Sequence, residues 1–193
     1  MVWDMPAKQK ELYLTFDDGP HETATPFVLD QLRKYNAKAT FFCIGKNVKA
    51  YPWIYQRVLD EGHAVGNHTF DHLNGWKTKN DLYINNIAEA AKYIDSNLFR
   101  PPYGKISRFV SKQVLKKLRY KIIMWSVLSA DFDENLSPCK CAGYVLLNAK
   151  PGSIIVFHDS TKAWKRMSYA LPETLDHFAA NGFCFKPIIN KEG

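Results

Sequence analysis

Short apolar runs alternate with amphipathic segments from one end of the chain to the other. This alternation restricts the fold more than any other feature. Apolar runs of strand length occur at residues 12–16, 39–44, 64–67, 98–100, 120–127, 153–158 and 183–188. Between them, residues 25–35, 48–61, 80–97, 107–118, 138–149 and 163–181 carry apolar side chains at helical spacing. Gly62 follows the second of these segments as a C-cap. Strands that alternate strictly with helices pair in parallel through helical crossovers, giving an α/β fold. Seven strand candidates in 193 residues suggest a closed or nearly closed barrel rather than an open sheet, although pattern alone leaves both standing. No linker or low-complexity stretch interrupts the pattern, so residues 1–193 read as a single domain.

In either architecture a site forms where the strands end. The strand ends here are polar. Asp17 and Asp18 end the first strand, Asn67 and His68 the third, Arg100 the fourth, and His158 and Asp159 the sixth. Thr15-Phe16-Asp17-Asp18-Gly19-Pro20 sets two carboxylates at a strand tip just before a breaking Gly-Pro. Asp-Gly-Pro is also ordinary turn chemistry. Neighbouring strand residues point to opposite faces, so a bend at the tip is needed to bring both acids to one site. Two acids in one pocket divide labour, for instance one as metal ligand and one as base.

His68-Thr69-Phe70-Asp71-His72 spaces two imidazoles as on one face of a helical turn, where both can grip one ion. With Asp18 they make a His₂-carboxylate set that leaves coordination positions open, as catalytic zinc requires. Non-haem iron oxygenases use the same trio, so it does not name the metal. Arg100-Pro101-Pro102-Tyr103-Gly104 is a stiff loop whose Arg100 can pair with Asp17 and keep it ionised. His158 ends the buried run Ile154-Ile155-Val156-Phe157, and Asp131, within Ser129-Ala130-Asp131-Phe132, is a candidate partner that would raise its pKa. His63 is expected to support the loop ahead of Gly66-Asn67-His68, and His21 carries no assigned role.

Composition narrows the partners. The net charge is +7, but the basic residues are spread along the chain with no basic arm and no nucleic-acid motif, so a polynucleotide partner is not expected. No apolar segment is long enough to span a membrane, and the N-terminus has no signal-peptide core. Cys43 and Cys184 lie in apolar runs and read as buried free thiols, while Cys139 and Cys141 are too close for an easy mutual disulfide. Free thiols lean towards the cytoplasm; a cell-envelope substrate would instead require export, which leaves the compartment open.

Five segments in chain order, those holding Asp17-Asp18, His68 and His72, Arg100-Pro101-Pro102-Tyr103-Gly104, Asp131-Phe132 and His158, resemble the polysaccharide deacetylases of carbohydrate esterase family 4, the NodB-homology domain. The resemblance covers residues 12–188. It implies a distorted (β/α) barrel of about seven parallel strands and a hydrolase that removes N-acetyl groups from amino-sugar units of a glycan such as peptidoglycan, chitin fragments or an envelope polysaccharide. It implies Asp17 as general base, Asp18, His68 and His72 as metal ligands, and Arg100 as the residue holding the base. The Tyr103 N–H would be an oxyanion donor and His158 the general acid tuned by Asp131. Phe132, Val156 and Pro102 would shape the substrate pocket. The implied cofactor is a divalent metal, zinc (Zn2+) first, with Co2+, Ni2+ or Mn2+ as substitutes. The implied partner is the acetylated glycan alone, bound by a monomer. Three positions depart from the family pattern: Leu128 stands where an Asp is usual, Phe132 for Trp and Val156 for Leu. Those departures bear on pocket shape, not on the metal or acid–base set. Readings that compete are an O-acetyl (xylan) esterase on the same scaffold, a small-amide hydrolase, a glycan-binding module without catalysis, and an iron oxygenase, whose usual jelly-roll the β–α alternation contradicts.

Overall fold

The computed structural model describes residues 1–6 and 9–189. Its elements are β1 (Glu11–Asp17), α1 (Ala24–Lys34), β2 (Thr40–Cys43), α2 (Gly45–Ala50), α3 (Pro52–Asp60), β3 (Ala64–Asn67), α4 (Asn80–Ala90), β4 (Leu98–Phe99), α5 (Arg108–Lys116), β5 (Lys121–Ile122), β6 (Val127–Leu128), α6 (Pro138–Asn148), β7 (Ile154–His158), α7 (Trp164–Ala180) and β8 (Cys184–Phe185). Seven strands run parallel in the order β5-β4-β3-β2-β1-β7-β6, and β8 pairs with the first half of β1. The sheet curls into a distorted (β/α) barrel with helices outside.

The expected strand at 120–127 is two short strands. Its first part pairs with β4 and its last part with β7. Between them the Ile123 N–H still donates to Phe99 O and the Ser126 N–H to Ile154 O. One segment thus serves both edges of the sheet, and it must bend through Met124-Trp125 to do so. This seam joins the two ends of the curl. The expected helix at 48–61 is also two, because Pro52 cannot accept a helical predecessor; it takes the first position of α3 instead. Helix α4 stops at Ala90, short of the expected 97. Ile94 still reaches the core, 1% exposed, from the following turn, which is how its spacing imitated a longer helix.

Alternation along β1 sorts the two faces. Leu12, Leu14 and Phe16 join the main core beneath the helices. Tyr13, with Phe42, Leu98, Ile123 and Ile154, fills the inside of the curl. Thr15 and Asp17 share Tyr13's face, so Asp17 points inward at the strand tip. Gly66 on β3 is required here, since a Cβ would lie 2.5 Å from the Phe42 ring. All four thiols are free; Cys43 is buried as expected, but Cys184, on the two-residue β8, is exposed. His63 ties β2 to β3 at the end away from the strand tips, its Nδ1 accepting the Ala39 N–H at 3.2 Å, so it does not brace the His68 loop. No described helix is long and apolar enough to cross a membrane.

Helix α6 starts with Pro138 after Ser137, whose Oγ accepts the Lys140 N–H at 3.3 Å. Ser137→Ala is expected to cost about 1 kcal/mol of stability, measured by urea denaturation, without altering the site.

Candidate active site

The strand tips surround one cavity of about 390 Å³. Asp17, Asp18, His68, His72, Tyr103, Phe132, Val156 and His158 all line it. Arg100 and Asp131 stand behind the wall, each 0% exposed. Pro102 does not reach the cavity. It is buried and opens the 3₁₀ turn Pro102–Gly104 that carries Tyr103 outward, so its part is to shape the loop.

Asp17 and Asp18 leave β1 in different directions. Asp17 Oδ1 accepts from Arg100 Nη1 at 2.8 Å. The guanidinium also donates to Thr15 Oγ1, Ile123 O and Met124 O, and it stacks over the Phe42 ring at 4.1 Å. Every side of Arg100 is engaged, so the charge that faces Asp17 has a fixed position. Asp18 takes a left-handed backbone, φ 83°, which swings its carboxylate away from Asp17. Its Oδ1 lies 3.2 Å from His72 Nε2 and 3.8 Å from His68 Nε2.

The ligand atoms of Asp18, His68 and His72 all lie within 4.8 Å of one another. Asp18 Oδ1 is buried without a hydrogen-bond partner. A cation held between the three groups would supply the missing partner, so the residues fit a metal. His68 Nδ1–H donates to Arg100 O at 2.7 Å, which leaves Nε2 with its lone pair towards the trio. Burial lowers the His68 pKa to about 4, keeping the ring neutral as a ligand must be. Burial alone would raise Asp18, but the neighbouring imidazoles of His72, His158 and His68 hold it well below the usual carboxylate range.

His68 and His72 are not on a helical turn as their spacing predicts. They flank a loop in which Thr69 and His72 have φ 65° and 58°. Side-chain acceptors hold this loop: Asn67 Oδ1 takes the Thr69 N–H, and Asn86 Oδ1 on α4 takes the Phe70 and Asp71 N–H groups. Asn67 stood in the motif. Asn86, within a helix remote in sequence, carried no signal.

Opposite the trio, His158 Nδ1–H donates to Asp131 Oδ1 at 2.7 Å, and Asp131 Oδ2 accepts the His158 N–H at 2.7 Å. Burial would lower the His158 pKa, but the charge and hydrogen bond of Asp131 outweigh it, and Asp18 and Asp17 add to the rise, to about 9. Phe132 meets the His158 ring edge-on at 5.4 Å. Val156 and Leu128 are register partners of β7 and β6 on the same wall. Tyr103, itself at φ 59°, sets its ring against His72 at 4.6 Å. Gly104 also lines the cavity, as do Lys105, Trp125 and Lys162, to which the sequence assigns no role.

A model of the polysaccharide deacetylase family matches residues 4–123. The chain belongs to this family. A peptidoglycan-N-acetylglucosamine deacetylase of Bacillus cereus is 36% identical over 194 residues, covering 97% of this chain and 91% of that protein. A chitooligosaccharide deacetylase of Azorhizobium caulinodans is 40% identical over 162 residues, covering 78% of this chain and 74% of that protein. A crystal structure of a peptidoglycan N-acetylglucosamine deacetylase superposes with a TM-score of 0.90 at 32% identity, covering 97% of this chain and 90% of that one. In this family member the five motifs converge on one cavity, although the family match ends before Asp131 and His158.

Proposed function

We propose that the chain is a metal-dependent carbohydrate N-deacetylase that hydrolyses the acetamido group of amino-sugar units in a glycan. One observation carries this reading. Two acid–base side chains, each held by its own buried partner, line the same cavity as a His₂-Asp set. The peptidoglycan and chitooligosaccharide deacetylases among its relatives support the N-acetylated glycan as substrate.

Asp18, His68 and His72 would hold a divalent cation, zinc by preference for this donor set. When bound, the cation supplies a Lewis acid for the acetyl carbonyl and lowers the pKa of water. Asp17, held in place by Arg100, takes the proton of the attacking water. The Tyr103 N–H, on a turn held left-handed at the cavity rim, donates to the oxyanion that forms at the carbonyl oxygen. His158, protonated through Asp131, gives its proton to the sugar nitrogen, so that amine and acetate separate. Phe132, Val156 and Leu128 form the apolar wall for the acetyl methyl. A smaller Val156 beside Leu128 offers a different methyl pocket from the usual Leu and Asp, and so tunes rate and glycan preference.

The catalytic unit is residues 1–193 as one domain, acting as a monomer. Peptidoglycan-directed relatives support work at the cell envelope over the cytoplasm suggested by free thiols. The test is mass-spectrometric detection of acetyl loss on chito-oligosaccharides, peptidoglycan fragments and acetyl-xylan, with and without chelator. Chelator-sensitive loss of acetyl from an amino sugar is the expected result. Release from acetyl-xylan alone would assign an O-acetyl esterase, and no chelator-sensitive release on any of the three would overturn the reading.

A further inference from the structure

Beside the site lies a buried carboxylate that the chemistry above does not use. Asp159 follows His158 at the tip of β7 and is 0% exposed. It forms no ion pair among the described residues. A buried carboxylate without a cation is costly unless donors surround it. The donors all come from the segment around the Asp17-Asp18 tip. Gly19 N–H donates to Asp159 Oδ1 at 3.0 Å, and Thr25 Oγ1, at the start of α1, donates to Oδ2. The Asp159 N–H in turn donates to Asp17 O at 3.1 Å. The turn lies so close that a Cβ at Gly19 would stand 2.1 Å from Asp159 Oδ2. No side chain fits there.

On the other side, Asn47 Nδ2 of α2 donates to Asp18 O at 2.7 Å. The carbonyl of Asp18 and the N–H of Gly19 are the two ends of one peptide plane. Asn47 holds one end and Asp159 the other. That plane follows a residue at φ 83°, a conformation unfavourable for a side-chain-bearing residue, which persists only where its surroundings enforce it. We propose that Asp159, with Asn47 opposite, is a positioning residue that enforces the Asp18 conformation and so aims its carboxylate at His68 and His72. The inference rests on the reading of Asp18 as a metal ligand.

The experiment measures Zn2+ affinity of the full chain by competition with a chromophoric chelator. Asp159→Ala is expected to weaken Zn2+ binding about 10–100-fold, the range for loss of an outer-shell partner. Asp159→Asn keeps an oxygen for the Gly19 N–H and should stay within about threefold of the parent. Asn47→Ala should weaken binding about tenfold. Val145→Ala, on the buried face of α6, lowers the melting temperature without moving Zn2+ affinity, which separates positioning from general loss of stability. Parent-like affinity in Asp159→Ala overturns the inference, as does a matching loss in Val145→Ala. If Asp159→Ala does not fold, the half-buried Asn47 decides, and parent-like affinity in Asn47→Ala then overturns it. A parent chain that takes up no Zn2+ overturns the metal reading itself, and this inference with it.

Discussion

Replacing Asp17 by Asn is expected to lower kcat by about 10²–10⁴-fold, the range for losing a positioned general base. Asn matches Asp in shape and keeps an oxygen within reach of Arg100 Nη1, now 2.8 Å from the carboxylate. What it loses is the ability to take a proton. The choice of Asn matters because Arg100 is 0% exposed. An Ala at this position would remove acceptor as well as charge and leave a buried cation unpaired, costing about 3–5 kcal/mol and confounding chemistry with folding. Metal content measured alongside turnover should be unchanged, since Asp18, His68 and His72 do not lean on the Asp17 side chain. A variant with full activity would remove Asp17 from the base role.

His158→Gln is expected to cost a similar 10²–10⁴-fold, roughly, on an acetamido sugar. The loss should depend on the leaving group. A sugar amine departs only with a proton, whereas the phenolate of an activated aryl acetate needs none, so the aryl ester should lose far less. Equal losses on both substrates would argue against an acid role. The pH profile gives a second reading. His158 acts as an acid only while protonated, and its pKa is raised to about 9 against burial, chiefly by Asp131. Activity should therefore fall as pH rises through about 9. A cation on Asp18 offsets that carboxylate's share, so the limb can lie somewhat lower but not higher. Asp131→Asn should move the limb to lower pH, and an unmoved limb would detach it from His158. The same shift bears on stability. A folded pKa raised above the unfolded value near 6.5 contributes fully below that value, and the contribution fades as pH climbs through about 9.

Much of this site could be read from residue order because strand ends are local in sequence and gathered by topology. Apolar runs ending in Asp17, His68, Arg100 and His158 needed only parallel pairing to bring those residues to one rim. The pairings Asp17–Arg100 and Asp131–His158 followed from charge. The failures share a cause in backbone conformation and long-range contact. The His68 loop reads as a helical turn by spacing, but Thr69 and His72 in left-handed conformations do the work, held by Asn86 from α4. Pro102, set at the pocket by the resemblance, instead opens the buried turn that carries Tyr103 to the rim. The single run 120–127 divides because its two ends pair with opposite sheet edges, which no local pattern encodes. Lys105 and Lys162 are ordinary lysines until the curl of the sheet brings their loops to the same rim.

The seam between β5 and β6 has one more consequence. Arg100 hydrogen-bonds to it through the carbonyl oxygens of Ile123 and Met124 alone, with the Trp125 ring 5.8 Å from the guanidinium as the one side chain beside it. A main-chain carbonyl is the same whatever residue bears it. The hydrogen bonds that anchor the base are therefore blind to side-chain identity along a segment that also sends Leu128 into the cavity, Trp125 excepted because its ring lies beside the guanidinium. Substrate preference can drift at Leu128, by natural variation or by engineering, while the alignment of Asp17 is inherited intact.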